Sequence, residues 1–227
     1  MALVEQWPLY GIRVRTPRLE VRVPDDELGA QMGELAAKGV HDPALMPFFY
    51  PWTDAPPEEV PRNSLQHYWQ MRAQLRPERW NLSLCVLVDG AVVGGGGLES
   101  ENFAVCRGFE TGSWLGLEFQ GRGLGKELRQ ACLHLGFAGL GGTVALTGAF
   151  EDNGASLGVT RGLGYEPNGE ETVVRRGEAA RLLRFRMPRG HWEASLRRDD
   201  IELEGVEACL ALLGAAPSAG DVTAHDP

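Results

Sequence analysis

One stretch in the middle of the chain constrains the fold more than any other: Glu110-Thr111-Gly112-Ser113-Trp114-Leu115-Gly116-Leu117-Glu118-Phe119-Gln120-Gly121-Arg122-Gly123-Leu124-Gly125-Lys126-Glu127-Leu128. A strand ends, a glycine-rich turn follows, and a helix begins at once. The first amides of such a helix have no intrahelical acceptor and point outward. Together with the helix dipole they make an anion site. Gly121, Gly123 and Gly125 carry no side chain, so an oxygen can sit against the backbone, and Arg122 and Lys126 add positive charge. The residues alone leave two readings open: a phosphate or pyrophosphate cradle, or a turn that only caps a helix. A Walker loop would need Ser or Thr after Lys126, where Glu127 stands. A Rossmann fingerprint would need GxGxxG, whereas the spacing here is Gly121-x-Gly123-x-Gly125.

The surrounding pattern places this stretch in a mixed chain. Ile12 to Pro24 reads as a strand, with Leu19, Val21 and Val23 in one parity. Asp25 or Asp26 caps a helix ended by Gly39. A long Pro- and aromatic-rich connection, 41–62, holds His41, Phe48, Phe49, Tyr50 and Trp52, and a second helix runs from about Asn63 to Leu75. The period then changes to two, and Asp89-Gly90 between apolar runs predicts a hairpin. Gly94 to Gly97 lies in its second strand, which predicts a bulge or a close backbone approach. After the central strand and a helix over Gly123 to Ala138 come a strand (Thr143 to Phe150), a short helix (Asp152 to Gly162) and a final hairpin around Val173 and Leu182 to Met187. One domain is expected over 1–189, a helical extension over 190–214 and a flexible tail over 215–227.

Composition narrows the function classes. Among 227 residues, 22 are Lys or Arg and 31 are Asp or Glu, a net charge of -9. That sign argues against a nonspecific nucleic-acid binder, which needs a basic face. Cys85, Cys106, Cys132 and Cys209 are scattered, with no metal-ligand spacing, and read as reduced thiols. No apolar window reaches the roughly eighteen residues of a membrane span, and the first residues lack a signal-peptide pattern. The expectation is a cytoplasmic protein without metal.

Gln120-x-x-Gly123-x-Gly125 resembles the (Q/R)xxGx(G/A) pyrophosphate loop of the GNAT acyltransferases. Thr16-Pro17-Arg18-Leu19, Ser113-Trp114-Leu115, and Asn153-x-x-Ser156 followed by Gly164-Tyr165 are similar, in order, to features of the Rim-like branch of that family. Trp7-Pro8-Leu9, Val40-His41-Asp42-Pro43, Pro51-Trp52-Thr53 and Gly112-Ser113-Trp114-Leu115-Gly116-Leu117 further resemble an actinobacterial subgroup that includes a succinyl-CoA-using member. The resemblance implies an α/β GNAT fold: a mixed, mostly antiparallel central sheet splayed between strands 4 and 5 and flanked by helices. It implies an N-acyltransferase that moves an acetyl group from acetyl-CoA to a primary amine, in a protein or a small molecule, by direct attack. Succinyl-CoA as donor, or a non-catalytic acyl-CoA sensor, are the alternatives.

Residue by residue, the resemblance assigns the pantetheine arm to the backbone at Leu115 and Leu117. It assigns the pyrophosphate to Gln120, Gly121, Arg122, Gly123, Leu124, Gly125 and Lys126, and further contacts with the arm to Asn153 and Ser156. The plain alternative is a helix cap at Asn153 and an ordinary polar helix position at Ser156. Glu110 is the first choice for general base, with Glu99 behind it, and either could be a solvated strand-end carboxylate. Many family members carry a Tyr four residues before the Gly of the Gly-aromatic pair, as the acid for the leaving thiolate. Here that position is Thr160, so water, another side chain such as Ser113, or no acid serves. A succinyl donor would call for a cation near the acyl end, and the sequence does not say where Arg107 or Arg129 points. The segment from Gly190 could pack between subunits of a homo-oligomer.

Overall fold

The computed structural model describes residues 2–216. After a short helix, α1 (Leu3–Gln6), the first apolar alternation folds back on itself. Ile12 to Pro24, expected as one strand, is two: β1 (Arg13–Arg15) and β2 (Glu20–Arg22), antiparallel with Val14 opposite Val21. Pro17 has no N–H for a ladder. Thr16 closes the turn, its N–H donating to the Leu19 carbonyl at 2.9 Å and its hydroxyl oxygen accepting from the Leu19 N–H at 2.9 Å. Asp25 caps α2 (Asp26–Ala37) by accepting from the Leu28 N–H, as its side-chain type favours. The long connection then leads to α3 (Val60–Gln74).

β3 (Arg79–Val88) and β4 (Ala91–Glu101) form the expected hairpin. Asp89 and Gly90 both take positive φ, 49° and 80°, the conformation that fits a two-residue turn to strand twist. A single turn of helix, α4 (Phe103–Cys106), leads to β5 (Gly108–Leu115), and the glycine loop opens α5 (Leu124–His134), which runs on through a π-helical turn at Leu135–Gly139. β6 (Val144–Phe150), α6 (Gly154–Gly162), β7 (Glu166–Arg175), β8 (Glu178–Pro188) and α7 (Arg189–Ser195) follow.

All the strands join one sheet, in the order β7-β8-β6-β5-β4-β3-β2-β1-β9, where β9 is Glu202–Glu204. Every pairing is antiparallel except β5 with β6. Helices cover both faces. The α2–α3 side packs Met32, Tyr68, Cys85 and Trp114 together. The α5 side packs Leu128, Cys132 and Phe137 against Phe109 and Leu98. The glycine run of β4 serves close approach: a Cβ on Gly94 would lie 2.3 Å from the Trp114 carbonyl oxygen, and one on Gly95 would lie 2.7 Å from Met32 Cε.

The segment over 190–214, expected as a helical extension, contains β9, which pairs with β1 and borders the sheet. Its side chains enter the core. Trp192 stacks on Phe137 at 5.1 Å, and Trp80 Nε1 donates to the Leu213 carbonyl at 2.8 Å. Ala215 is also buried, and the remainder of the expected tail, from 217 on, lies outside the described residues. Among those residues no helix is long and apolar enough to cross a membrane.

Candidate active site

The sheet opens where its one parallel pairing stops. β5 and β6 are in register only from Gly108 opposite Val144 to Glu110 opposite Leu146. Beyond that, β5 continues to Leu115 beside β4 and β6 to Phe150 beside β8. The split expected between strands 4 and 5 therefore falls between β5 and β6, because the first expected strand is really a pair. The Gly116 N–H donates to the Val93 carbonyl at 3.1 Å. In an antiparallel ladder, bonding alternates along the strand, so Trp114 and Gly112 also bond toward β4. The main-chain groups of Ser113 and the N–H of Leu115 then face the gap, with no strand beside them. The Leu115 carbonyl accepts the Gln120 side-chain amide at 2.8 Å. The Leu117 N–H is engaged, donating to the Gly39 carbonyl at 3.2 Å.

At the wide end of this gap sits the glycine loop. Gly121 and Gly123 have φ of +73° and +79°, and Gly123 is the N-cap of α5. Among the described residues, no side-chain atom caps the helix. Among the described residues, the N–H groups of Gly121, Arg122 and Gly123 have no hydrogen-bond partner. Leu124 is buried and holds the helix to the core, Gly125 packs near Leu115, and Lys126 is exposed at the helix head. The Arg122 guanidinium lies 5.9 Å over the Phe119 ring. Gln120 is a strut: its amide also donates to the Val40 carbonyl at 2.8 Å.

Beneath the loop lies a brace the sequence motif gave no sign of. Thr16 Oγ1 donates to Glu127 at 2.6 Å, the Arg18 N–H at 3.1 Å and Arg18 Nε at 2.6 Å. Burial pushes the Glu127 carboxyl up, but these hydrogen bonds and the Arg18 charge outweigh it and hold the group below its usual value. Arg18 Nη1 also donates to the Arg122 carbonyl at 3.0 Å.

The two residues expected to do chemistry lie on opposite faces of β5, since their spacing is odd. Ser113 shares the α5 side with Phe109 and Thr111. Glu110 shares the α2–α3 side with Trp114. Glu110 accepts from Arg184 Nη1 at 2.9 Å, and Arg184 Nε also donates to Glu171 at 2.8 Å. Glu99 is the cross-strand partner of Glu110 and accepts from Asn81 Nδ2 at 3.1 Å. Although Glu99 keeps an open surface, crowding of its carboxyl against the sheet and the charge of Glu110 hold its pKa above the ordinary value.

The connection after α2 closes over this face. His41 Nε2 lies 2.7 Å from Thr53 Oγ1, and Phe48 and Trp52 pack with Trp114, so these residues form a satellite cluster. Phe49 packs against Phe150 at 5.6 Å with the Arg184 guanidinium 5.8 Å from its ring centre. Arg176 ties Asp54 to the β7–β8 turn at 2.8 Å, and Arg175 reaches Asp152 at 2.8 Å.

At the narrow end, on the α5 side, Arg129 is only 3% exposed and has no carboxylate partner among the described residues. Its Nη1 donates to Thr147 Oγ1 at 2.9 Å, Thr147 donates to the Thr111 carbonyl at 3.1 Å, and Nε has no partner. Arg107 points elsewhere, toward the Ala215 carbonyl. Asn153 caps α6, its side chain accepting from the Ser156 N–H at 3.0 Å. Thr160 is fully buried and its hydroxyl lacks a partner.

Comparison with known proteins agrees with this geometry. An acetyltransferase (GNAT) domain model matches residues 18–166. The fold is shared with RimL, a ribosomal-protein alpha-N-acetyltransferase solved with coenzyme A (15% identity, TM-score 0.58, covering 76% of this chain and 95% of that one). It is shared with a ribosomal-protein-S5-alanine acetyltransferase from Vibrio fischeri (14%, TM-score 0.61, 79% and 98%). It is shared too with an acetyltransferase from Salmonella typhimurium that modifies an N-terminal serine of a ribosomal protein (17%, TM-score 0.61, 76% and 96%). An open, mostly antiparallel sheet parted beside a glycine loop, and a family match over most of its length, make this chain a member of the GNAT acetyltransferase family, acting as an acyl-CoA-dependent N-acyltransferase.

Proposed function

We propose that the protein transfers an acetyl group from acetyl-CoA to a primary amine by direct attack. The observation that carries this is the gap between β5 and β6, lined by unpaired main-chain groups and ending at an uncapped helix head. The bare N–H groups of Gly121, Arg122 and Gly123 and the first turn of α5 suit a diphosphate. The Ser113 main chain and the Leu115 N–H suit the amide-rich arm that follows it, as an extra strand would. A main-chain N–H of this row that the arm leaves free is the donor for the oxygen of the thioester carbonyl. Bound acyl-CoA supplies an activated carbonyl and a stable thiolate leaving group.

The chain's own residues then have distinct tasks. Glu99 takes the proton of the incoming ammonium, because a carboxylate whose pKa is raised is the stronger base. Glu110, paired with Arg184, fixes that guanidinium and adds its charge to the burial that raises Glu99. Ser113 offers a hydroxyl for the departing thiolate. Asn153, with its carbonyl oxygen committed to the cap, has only its amide nitrogen for the arm, and Ser156 its hydroxyl.

A second donor has one observation in its favour. A buried guanidinium without a carboxylate, at the narrow end of the gap, is what an acyl chain ending in a carboxylate would require. The test is a CoA-release assay on a panel of amines with acetyl-CoA and succinyl-CoA, with thermal shifts by both. Acetyl turnover supports the main reading. A succinyl preference lost in Arg129→Met supports the second. Stabilisation by acyl-CoA without release for any amine would make the protein a sensor, and stabilisation by neither would remove the site assignment.

A further inference from the structure

We infer that Arg18 is a positioning residue that aims the loop's amide at the diphosphate. The inference rests on the reading of Gly121–Gly125 as the diphosphate site. A peptide bond is planar and trans, so its C=O and N–H point in opposite directions. Arg18 Nη1 holds the carbonyl of Arg122 at 3.0 Å. The N–H on the other side of that peptide belongs to Gly123, and it is therefore turned away from Arg18, toward the outside of the helix head. That peptide turns on ψ of Arg122 and φ of Gly123, and a glycine at φ of +79° tolerates negative φ as well, so the peptide is free to flip unless something pins it. No other side chain bonds the Arg122 carbonyl among the described residues.

The pin is itself anchored. Arg18 Nε and Nη2 lie 2.6 and 2.5 Å from Glu127 Oε2, and the Glu127 side chain is only 7% exposed. Glu127 belongs to α5, so the guanidinium joins the body of the helix to the carbonyl that precedes it. Only a forked guanidinium can do both, since its nitrogens are fixed in one plane. Arg18 touches no reacting atom. It sets the orientation of a group that does, and its charge is already matched by Glu127.

Three variants separate this role from support of the fold. Arg18→Met leaves the buried Glu127 carboxylate without its main partner and lowers stability as well. The pair Arg18→Met with Glu127→Gln removes that unmatched charge and restores stability while the carbonyl stays unpinned. Arg18→Lys keeps the charge but lacks the fork. Titration with CoA and with pantetheine, which has no diphosphate, reads the outcome. CoA affinity should fall roughly tenfold in all three, the worth of one charge-assisted hydrogen bond, with pantetheine affinity unchanged within about twofold. Recovery of CoA affinity in the double variant would mean that Arg18 only stabilises the fold. Recovery in Arg18→Lys would mean that its charge, not its geometry, acts. Either result overturns the inference. Wild-type protein that binds pantetheine as tightly as CoA would instead sink the diphosphate reading beneath it.

Discussion

Gly123→Val is the sharpest test of the helix head. The nearest atom to a Cβ at this position is Arg18 Nη2 at 3.5 Å, an ordinary contact, so the Cβ itself meets no clash. Its cost is conformational. At φ of +79°, a non-glycine residue pays about 1–3 kcal/mol, with a β-branched one toward the upper end. The loop can escape that strain by leaving the left-handed region, which turns its amides away. Binding CoA must then restore the strained form, so affinity falls by that energy; about 2 kcal/mol corresponds to roughly thirtyfold. Because the free loop relaxes, Tm should drop by less than about 8 °C. Gly141→Val is the control: its φ of +75° and empty surroundings give the same strain at the far end of α5, so CoA affinity should be unmoved. Calorimetric titration of both variants with CoA decides the matter. An unchanged Kd for Gly123→Val, or an equal loss in Gly141→Val, would refute the reasoning.

Glu99→Gln should lower kcat by roughly a hundredfold or more, the usual worth of a general base, and still fold. Its stability carries a sign that can be checked: a carboxyl raised above its ordinary value of 4.5 favours the folded state when protonated. Wild type should thus lose stability relative to Glu99→Gln as pH rises through the raised pKa, and a flat difference in Tm would remove Glu99 as a perturbed group. His134 behaves oppositely. Burial first, and the Arg197 charge second, lower its pKa below 6.5, so the unfolded chain takes up its proton at higher pH. Stability is then full above 6.5 and is lost as pH falls through 6.5 toward the folded value. Thermal melts of wild type and His134→Gln between pH 7.5 and about 5 should converge at the acid end; parallel curves would exclude it.

The sequence carried the central hairpin, the glycine loop and the helix after it, because Asp89-Gly90 and the Gly121-Gly123 spacing have few backbone solutions. It misled at Ile12 to Pro24, where a continuous apolar parity hid the turn that Thr16 and Pro17 build. β9 was invisible, since Glu202-Leu203-Glu204 has too few residues for a period and exists only because β1 offers an edge. Within the site, the main-chain geometry was legible and the side-chain contacts were not. Nothing local in Glu110 discloses that Arg184, distant in sequence, would claim it, or that Glu99 across the ladder would be the carboxyl left perturbed. The same holds for Arg129, whose isolation is a property of the packed core.

The short register between β5 and β6 has a mechanical consequence. β6, β8 and β7 form one paddle, and β5, β4, β3, β2, β1 and β9 another, and among the described residues the main-chain hem between them is the short run from Arg107, whose carbonyl accepts from the Thr143 N–H, to Glu110. The Gln120 amide and the Leu117 N–H rivet the near paddle to the segment after α2, so that wall is stiff. Widening to admit a thioester arm then means the far paddle swinging about its hem, against the exposed Arg176–Asp54 pair that ties the β7–β8 turn to the same segment. Amide exchange should therefore be fastest, and most slowed by donor, along the β6 edge rather than along β5.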